Sequence, residues 1–236
     1  MTDTTQVPGQ VPGLTDIDVK VRATARFDRA AGDPYRYGVY LRPDPATCAA
    51  VTAVTGQLRA QYGFVSAGAF PPHATLVGSR HMPVPEPEIV AAVTRALDGA
   101  VPFTVHNAGV RRQGVGVVYD VAHLADGTTP NTAFTELAAR VDAAVVPLEA
   151  PAPNPADHSF DPAAFRPHLS LLSHDMYVRP DLLEEADAYV RGLPVPFPDA
   201  FPGDTVTLYR TASEDWTGRW WTTLTWDHVH TWRLSG

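Results

Sequence analysis

The chain has 236 residues, and its 18 basic groups against 26 acidic ones give a formal net charge of −8. That length allows one large domain or two small lobes with a true core. The acidic balance argues against large, non-specific binding of a long nucleic acid, although one small phosphorylated ligand could still be held by a few local groups.

Residues 1–16 are polar and rich in Pro and Gly, which predicts a loose tail. Their start has neither a basic nor an apolar leader segment, so no secretory signal is expected. Residues 17–236 are expected to form one bilobal domain. The run Tyr37 to Leu41, stopped by Arg42-Pro-Asp-Pro45, predicts a strand. Ala50, Val51, Val54, Leu58 and Tyr62 fall at helical spacing within Thr47 to Tyr62, with Gly63 as the stop. Cys48 is the only cysteine, which excludes an intrachain disulfide and a Cys-based zinc site. Pro72 to Val77 alternates like a strand, and Glu86 to Leu97 reads as a helix closed by Gly99. Phe103 to Val110 and Val115 to Val121 predict a hairpin turning at Arg111 to Gly114. Asn131 is the expected cap of a helix reaching Val145. Residues 147–164 are proline-rich and predict a loop. Arg166 to Leu171 is the next expected strand, and Pro180 to Arg191 a helix with Pro at its start and Gly192 at its end. Thr205 to Thr211 and Trp220 to Trp226 are expected to pair as antiparallel strands. No apolar run approaches the roughly 20 residues that span a bilayer. The default expectation is a monomer in the cytoplasm.

Two segments share one pattern, Pro-His-x-(Thr/Ser)-Leu: Pro72-His73-Ala74-Thr75-Leu76 and Pro167-His168-Leu169-Ser170-Leu171. On a strand, residues i and i+2 share a face, so imidazole and hydroxyl point the same way, roughly 7 Å apart. Ala74, Leu76, Leu169 and Leu171 then face a core. Two bare His-x-(Ser/Thr) matches arise by chance with a probability of roughly one third, whereas the longer pattern occurring twice has odds on the order of 10⁻⁴. Each such strand is followed by a helix, which suggests two similar halves.

These motifs resemble the 2H phosphoesterase superfamily, and Tyr37 to Pro43 and Phe165 to Leu171 are similar to its cyclic phosphodiesterase and 2′-5′ RNA ligase-like branches. The resemblance implies an α+β fold: two antiparallel-sheet lobes with helices on the outer faces, and a central cleft carrying one His-x-(Thr/Ser) motif per lobe. It implies catalysis by His73, Thr75, His168 and Ser170, with no metal and no cofactor. Opening a 2′,3′-cyclic phosphate needs a base for water and an acid for the departing ribose oxygen, which two imidazoles can supply. The hydroxyls can donate to the non-bridging phosphate oxygens. By resemblance, His168 activates water and His73 protonates the leaving oxygen. The expected partner is a small nucleotide or a short RNA terminus. The alternatives are an enzyme acting on 2′-5′ phosphodiester bonds and a non-catalytic nucleotide-binding module.

Six further residues are candidates for substrate contact. Tyr40, Tyr119 and Tyr209, with the tryptophans, could stack on a base, and Arg42, Arg166 and Arg210 could neutralise a phosphate. Arg111 and Arg112 are expected to solvate a hairpin turn. His228 and His230 share a strand face but lack a third ligand, so a surface position is expected. His174-Asp175 adjoins the second motif, and His158 lies in the proline-rich loop.

Overall fold

The computed structural model describes residues 35–150, 160–214, 216 and 218–235. The expected tail, the start of the domain and the middle half of the proline-rich loop, His158 included, lie outside the described residues.

Nine strands and four α-helices make up the regular structure of the described residues. The strands are β1 (Arg36–Leu41), β2 (Ala74–Arg80), β3 (Phe103–His106), β4 (Val110–Gln113), β5 (Gly116–Asp120), β6 (His168–Leu172), β7 (Ala200–Gly203), β8 (Thr205–Ala212) and β9 (Thr225–Arg233). The helices are α1 (Pro45–Tyr62), α2 (Glu86–Leu97), α3 (Thr132–Val145) and α4 (Leu183–Gly192). None is long and apolar enough to cross a membrane, among the described residues.

Local chemistry sets these boundaries. Asp44 accepts the Thr47 N–H at 2.9 Å, Pro45 opens α1, and Gly63 closes it at φ 74 by donating to Arg59 O. Helix α1 buries the expected Ala50, Val51, Val54 and Leu58. Asn131 precedes α3 as predicted, but its side-chain amide donates to Thr104 O at 3.0 Å and makes no cap bond. The hairpin expectation is corrected. Phe103 to His106 pairs with β7 in a separate two-stranded sheet, and β4 pairs with β5 around Gly114, at φ 57. The break comes at Asn107, whose carbonyl side chain accepts the Gly109 N–H, with Gly109 at φ 95. The last pair also differs. Trp220–Thr222 is a 3-10 turn, and β9 begins only at Thr225.

The remaining strands form one antiparallel sheet in the order β4-β5-β6-β2-β1-β8-β9. The two expected sheets therefore meet as one, joined where Ala74 of β2 faces Leu169 of β6. One contiguous core runs beneath both arms. Helix α1, from the first half, packs on β6 of the second, while α3 packs on β2. Each histidine strand is thus backed by a helix from the other half.

A buried carboxylate ties the loop after α1 to the second half. Asp175, in the 3-10 turn His174–Tyr177 after β6, accepts the Val65 N–H at 3.0 Å, the Ser66 N–H at 2.8 Å and the Ser66 hydroxyl at 2.6 Å. Asp175→Ala strands three donors in a water-poor place, so a loss of about 2–4 kcal/mol is expected. Urea unfolding followed by circular dichroism measures it, and a midpoint equal to wild type would refute this role.

Candidate active site

The Ala74–Leu169 pair arranges the two motifs. Continuing that antiparallel register by one residue each way sets Thr75 opposite His168 and His73 opposite Ser170. Ala74 and Leu169, at 0% and 2% exposed, enter the core, so the four polar side chains take the other face. Neighbouring strands agree: Tyr40 is registered with Thr75, and Asp120 with His168. All four motif residues line one cavity of about 520 Å³.

The prolines have a local purpose. A residue before proline is held extended, and in both motifs the carbonyl of that residue meets the histidine. His73 Nδ1–H donates to Pro71 O at 2.7 Å, and His168 Nδ1–H to Arg166 O at 2.9 Å. Each ring is thereby oriented and its Nδ1 committed, leaving Nε2 for chemistry. Tyr40 and Phe70 stand edge-on to the His73 ring, at 4.6 Å and 4.8 Å between centroids. Burial there, opposed by the Pro71 hydrogen bond and helped by nearby His168, pushes His73 down to about 4. Burial also lowers His168, and Arg111 adds to this, whereas the Arg166 carbonyl and Asp120 favour its charged form.

Strand β4 supports His168 from behind. Arg111 donates to Gln113 Oε1 at 3.2 Å and faces Asp120 at 3.3 Å, while His123 Nδ1 lies 2.9 Å from Asp120. Gln113 Nε2 lies 3.1 Å from His168 Nδ1; with that nitrogen donating to Arg166 O, the amide N–H turns to the same carbonyl at 3.5 Å. Arg111 is therefore not a solvated turn residue, and Arg112 pairs with Glu184 and Asp187.

Of the six expected contact residues, Tyr40 alone lines this cavity. Burial lifts its phenol to about 12, so it stays protonated and hydrogen-bonds with Ser79 Oγ at 3.0 Å. Its hydroxyl occupies the space that a Cβ on Gly38 would need. The other five lie outside its lining. Tyr119 is registered with Leu169, which turns it toward the core, against Phe197. Tyr209 is buried one ring behind, against Phe70 at 5.0 Å and Tyr40 at 6.0 Å. Arg210 is held by Asp227 at 2.9 Å and Glu86 at 3.5 Å. Arg166 turns outward, donating to Ala163 O and Phe165 O at 2.8 Å. Arg42 follows β1, outside the lining.

Of the tryptophans named as candidates, Trp216 and Trp220 line the cavity, whereas sequence reasoning missed Arg36, Ser66, Phe70, Ser79, Ser173, Thr211 and Leu224. Nothing local marks them, because distant segments converge there. His174, noted as a neighbour of the second motif, also lines the cavity. It opens a 3-10 turn and is not on the strand, so strand alternation does not apply to it. His228 is exposed and bonds Thr231 Oγ1 at 2.8 Å. Among the described residues, no group of three or more His, Cys, Asp or Glu side chains could hold a metal ion.

A comparison with curated proteins by sequence gives no match. Solved structures share the fold at low identity. A phosphoesterase is 18% identical, covering 86% of this chain and 100% of its own, with a TM-score of 0.50. Apo LigT of E. coli is 17% identical over 86% of this chain and 99% of its own, with a TM-score of 0.50. TT0787 of Thermus thermophilus is 16% identical over 84% and 97%, with a TM-score of 0.54. A family model described as the 2′-5′ RNA ligase superfamily matches residues 25–215, a span that contains both histidine motifs. The chain belongs to that superfamily, the 2H phosphoesterases.

Proposed function

We propose that this chain is a phosphodiesterase that opens a 2′,3′-cyclic or related cyclic phosphate on a nucleotide or RNA end, by acid–base catalysis between His73 and His168. One observation carries the reading: two imidazole–hydroxyl couples flank a single strand crossing and line one cavity, with both Nδ1 atoms tied to backbone. A phosphorus between them can be approached by one Nε2 through water and by the other through the leaving oxygen. Following the resemblance, His168 takes the proton of water as it attacks phosphorus, and His73 gives its proton to the departing ribose oxygen. Thr75 and Ser170 donate to the non-bridging oxygens, where charge accumulates. The scheme needs no metal, because the substrate's single negative charge is met by hydroxyls and one imidazolium.

The ligase-like alternative uses the same groups in reverse and has support in the superfamily's description. Incubation with 2′,3′-cyclic nucleotides, 3′,5′-cyclic nucleotides and 2′-5′ dinucleotides, with product phosphate position determined, separates the two. Turnover of 2′-5′ dinucleotides alone would displace the cyclic-phosphate reading, and binding without turnover would leave a nucleotide-binding module. Since the chain is acidic, affinity should depend weakly on salt, unlike that of a protein contacting many phosphates.

His73→Ala and His168→Ala are each expected to abolish turnover while the far-UV circular dichroism stays native; wild-type rates in either end the proposal. Thr75→Ala and Ser170→Ala should lower kcat by roughly 10²–10³. With an aryl phosphodiester, whose phenolate leaves without a proton, His73→Ala should recover far more activity than His168→Ala. Equal losses on that substrate would refute the assigned roles. Turnover should persist in EDTA, and loss restored by a divalent ion would refute the metal-free scheme.

The pH profile follows from the site's burial. In the free protein both imidazoles lie below the ordinary 6.5, so the bell in kcat/KM should be centred on the acid side of that value. An anionic phosphodiester between the rings favours their charged forms and raises both, so the bell in kcat should move to higher pH. Steady-state rates from pH 4 to 9 test this, and two coincident bells near neutrality would contradict it.

A further inference from the structure

Gln113 meets His168 through one fixed end of its amide. Arg111 Nη2 lies 3.2 Å from Gln113 Oε1, and a guanidinium donates hydrogen bonds but accepts none. The amide oxygen must therefore face Arg111, which leaves the NH2 end 3.1 Å from His168 Nδ1. Arg111 is itself held, because its Nε faces the buried Asp120 carboxylate at 3.3 Å. That carboxylate is tied down in turn by the Ala122 N–H and by His123 Nδ1, both at 2.9 Å. The planar fork of arginine reaches both partners at once.

This orientation has an electrostatic sign. A neutral imidazole with its proton on Nδ1 gives that proton to Arg166 O at 2.9 Å, and the Gln113 NH2 competes for the same carbonyl at 3.5 Å. Protonating Nε2 makes the Nδ1–H more positive while the positive end of the amide dipole stands beside it. A flipped amide would instead offer Oε1 to the Nδ1–H and favour the charged ring. Among the described residues, the charged or titratable groups that face His168 are Arg111 on β4, Asp120 on β5 and His73 across the crossing. Arg111 and Asp120 act there in opposite senses, so the direction of the amide tips the balance.

We propose that Gln113, aimed by Arg111, is a positioning residue that keeps His168 in its neutral Nδ1–H form, so that Nε2 stays free to take the proton of water. The last clause rests on the phosphodiesterase reading, whereas the hold on the ring does not. The His73 side is built otherwise: its Nδ1–H bonds Pro71 O at 2.7 Å, and Tyr40 and Phe70 flank the ring. Two motifs alike in sequence thus receive unlike surroundings, and β4 supplies the difference at His168.

Two measurements on the full chain test this. In an NMR titration of the histidine rings without ligand, the His168 signals are identified by their loss in His168→Ala. Gln113→Met should raise the His168 midpoint by roughly 0.5–1 pH unit. Arg111→Lys keeps the charge beside Asp120 but lacks the second nitrogen that aims the amide, so it should raise the midpoint as well. Added to Gln113→Met it should give no further rise, since Arg111 acts through Gln113. An unchanged midpoint in Gln113→Met, or additive rises, would overturn the proposal. Where Gln113→Met does not fold, an unchanged midpoint in Arg111→Lys does the same.

Turnover of a 2′,3′-cyclic nucleotide separates this role from a merely structural one. On the acid side of the bell, kcat/KM of Gln113→Met should fall by roughly 3–10-fold, matching the raised midpoint, because less of the base is free. On the alkaline side it should equal wild type. A loss at every pH would leave Gln113 a packing role, and a gain confined to the alkaline side would make His168 the acid; either result overturns the proposal. A raised midpoint in a chain that turns over no cyclic phosphate would remove the phosphodiesterase reading and keep the hold of Gln113 on the ring.

Discussion

The whole arrangement depends on one contact between strands, the register pair of Ala74 with Leu169. Because side chains alternate across a strand, burying those two residues turns His73, Thr75, His168 and Ser170 to the opposite side together. Because the strands are antiparallel, each hydroxyl lies opposite the other strand's imidazole. One pairing therefore sets four side chains, and the repeated Pro-His-x-(Thr/Ser)-Leu is the sequence form of that local two-fold relation. So short a ladder contributes little rigidity of its own. Rigidity comes from packing: α1 lies on β6 and α3 on β2, so separating the strands would open one shared core. Ala74, the smallest side chain with a Cβ, is fully buried at the crossing, and a larger one would force the strands apart.

Dryness at the crossing tunes the imidazoles in one direction. Aromatic rings enclose His73, and its Nδ1–H bond to a carbonyl only partly offsets the cost of holding a proton. Beside His168, Arg111 and Asp120 neutralise one another 3.3 Å apart, so the pair orients more than it charges. An acidic chain can thus host an anion without a basic surface. Its net charge of −8 is spread over the whole chain, while the cavity offers hydroxyls, three imidazoles, one arginine and an indole wall.

The sequence was most legible where chemistry and periodicity coincide. Both histidine strands, α1 and α2 could be read because period-2 and period-3.6 patterns lie next to strong punctuation such as Gly63 and the motif prolines. Legibility failed where a pairing was non-local. Phe103 to His106 has an ordinary strand composition, and nothing in it names Ala200–Gly203, with Pro202 in its midst, as the partner. Tyr119 could not be placed because every residue of β5 is buried, so alternation carries no sign of which face meets the cavity. Register with Leu169 decides it. Arg166 and Arg210 were plausible phosphate ligands by charge and position, yet each is turned away by carbonyls or carboxylates that only the folded chain brings near.

The segment from Trp220 to Trp226 shows why the lining of a cavity is harder to read than a strand motif. Aromatic enrichment signals a strand, and the strand does arrive, but only from Thr225. In the 3-10 turn before it, successive residues are rotated by about a third of a circle, so Trp220 and Trp221 diverge much as strand neighbours would. One is buried as an anchor and the other is presented to the cavity. The alternation of roles survives although the element is different. Catalytic groups need fixed mutual geometry, which strands supply and which leaves a periodic trace. A surface that recognises a ligand needs only to be carried to the right place, and connecting segments do that without leaving one.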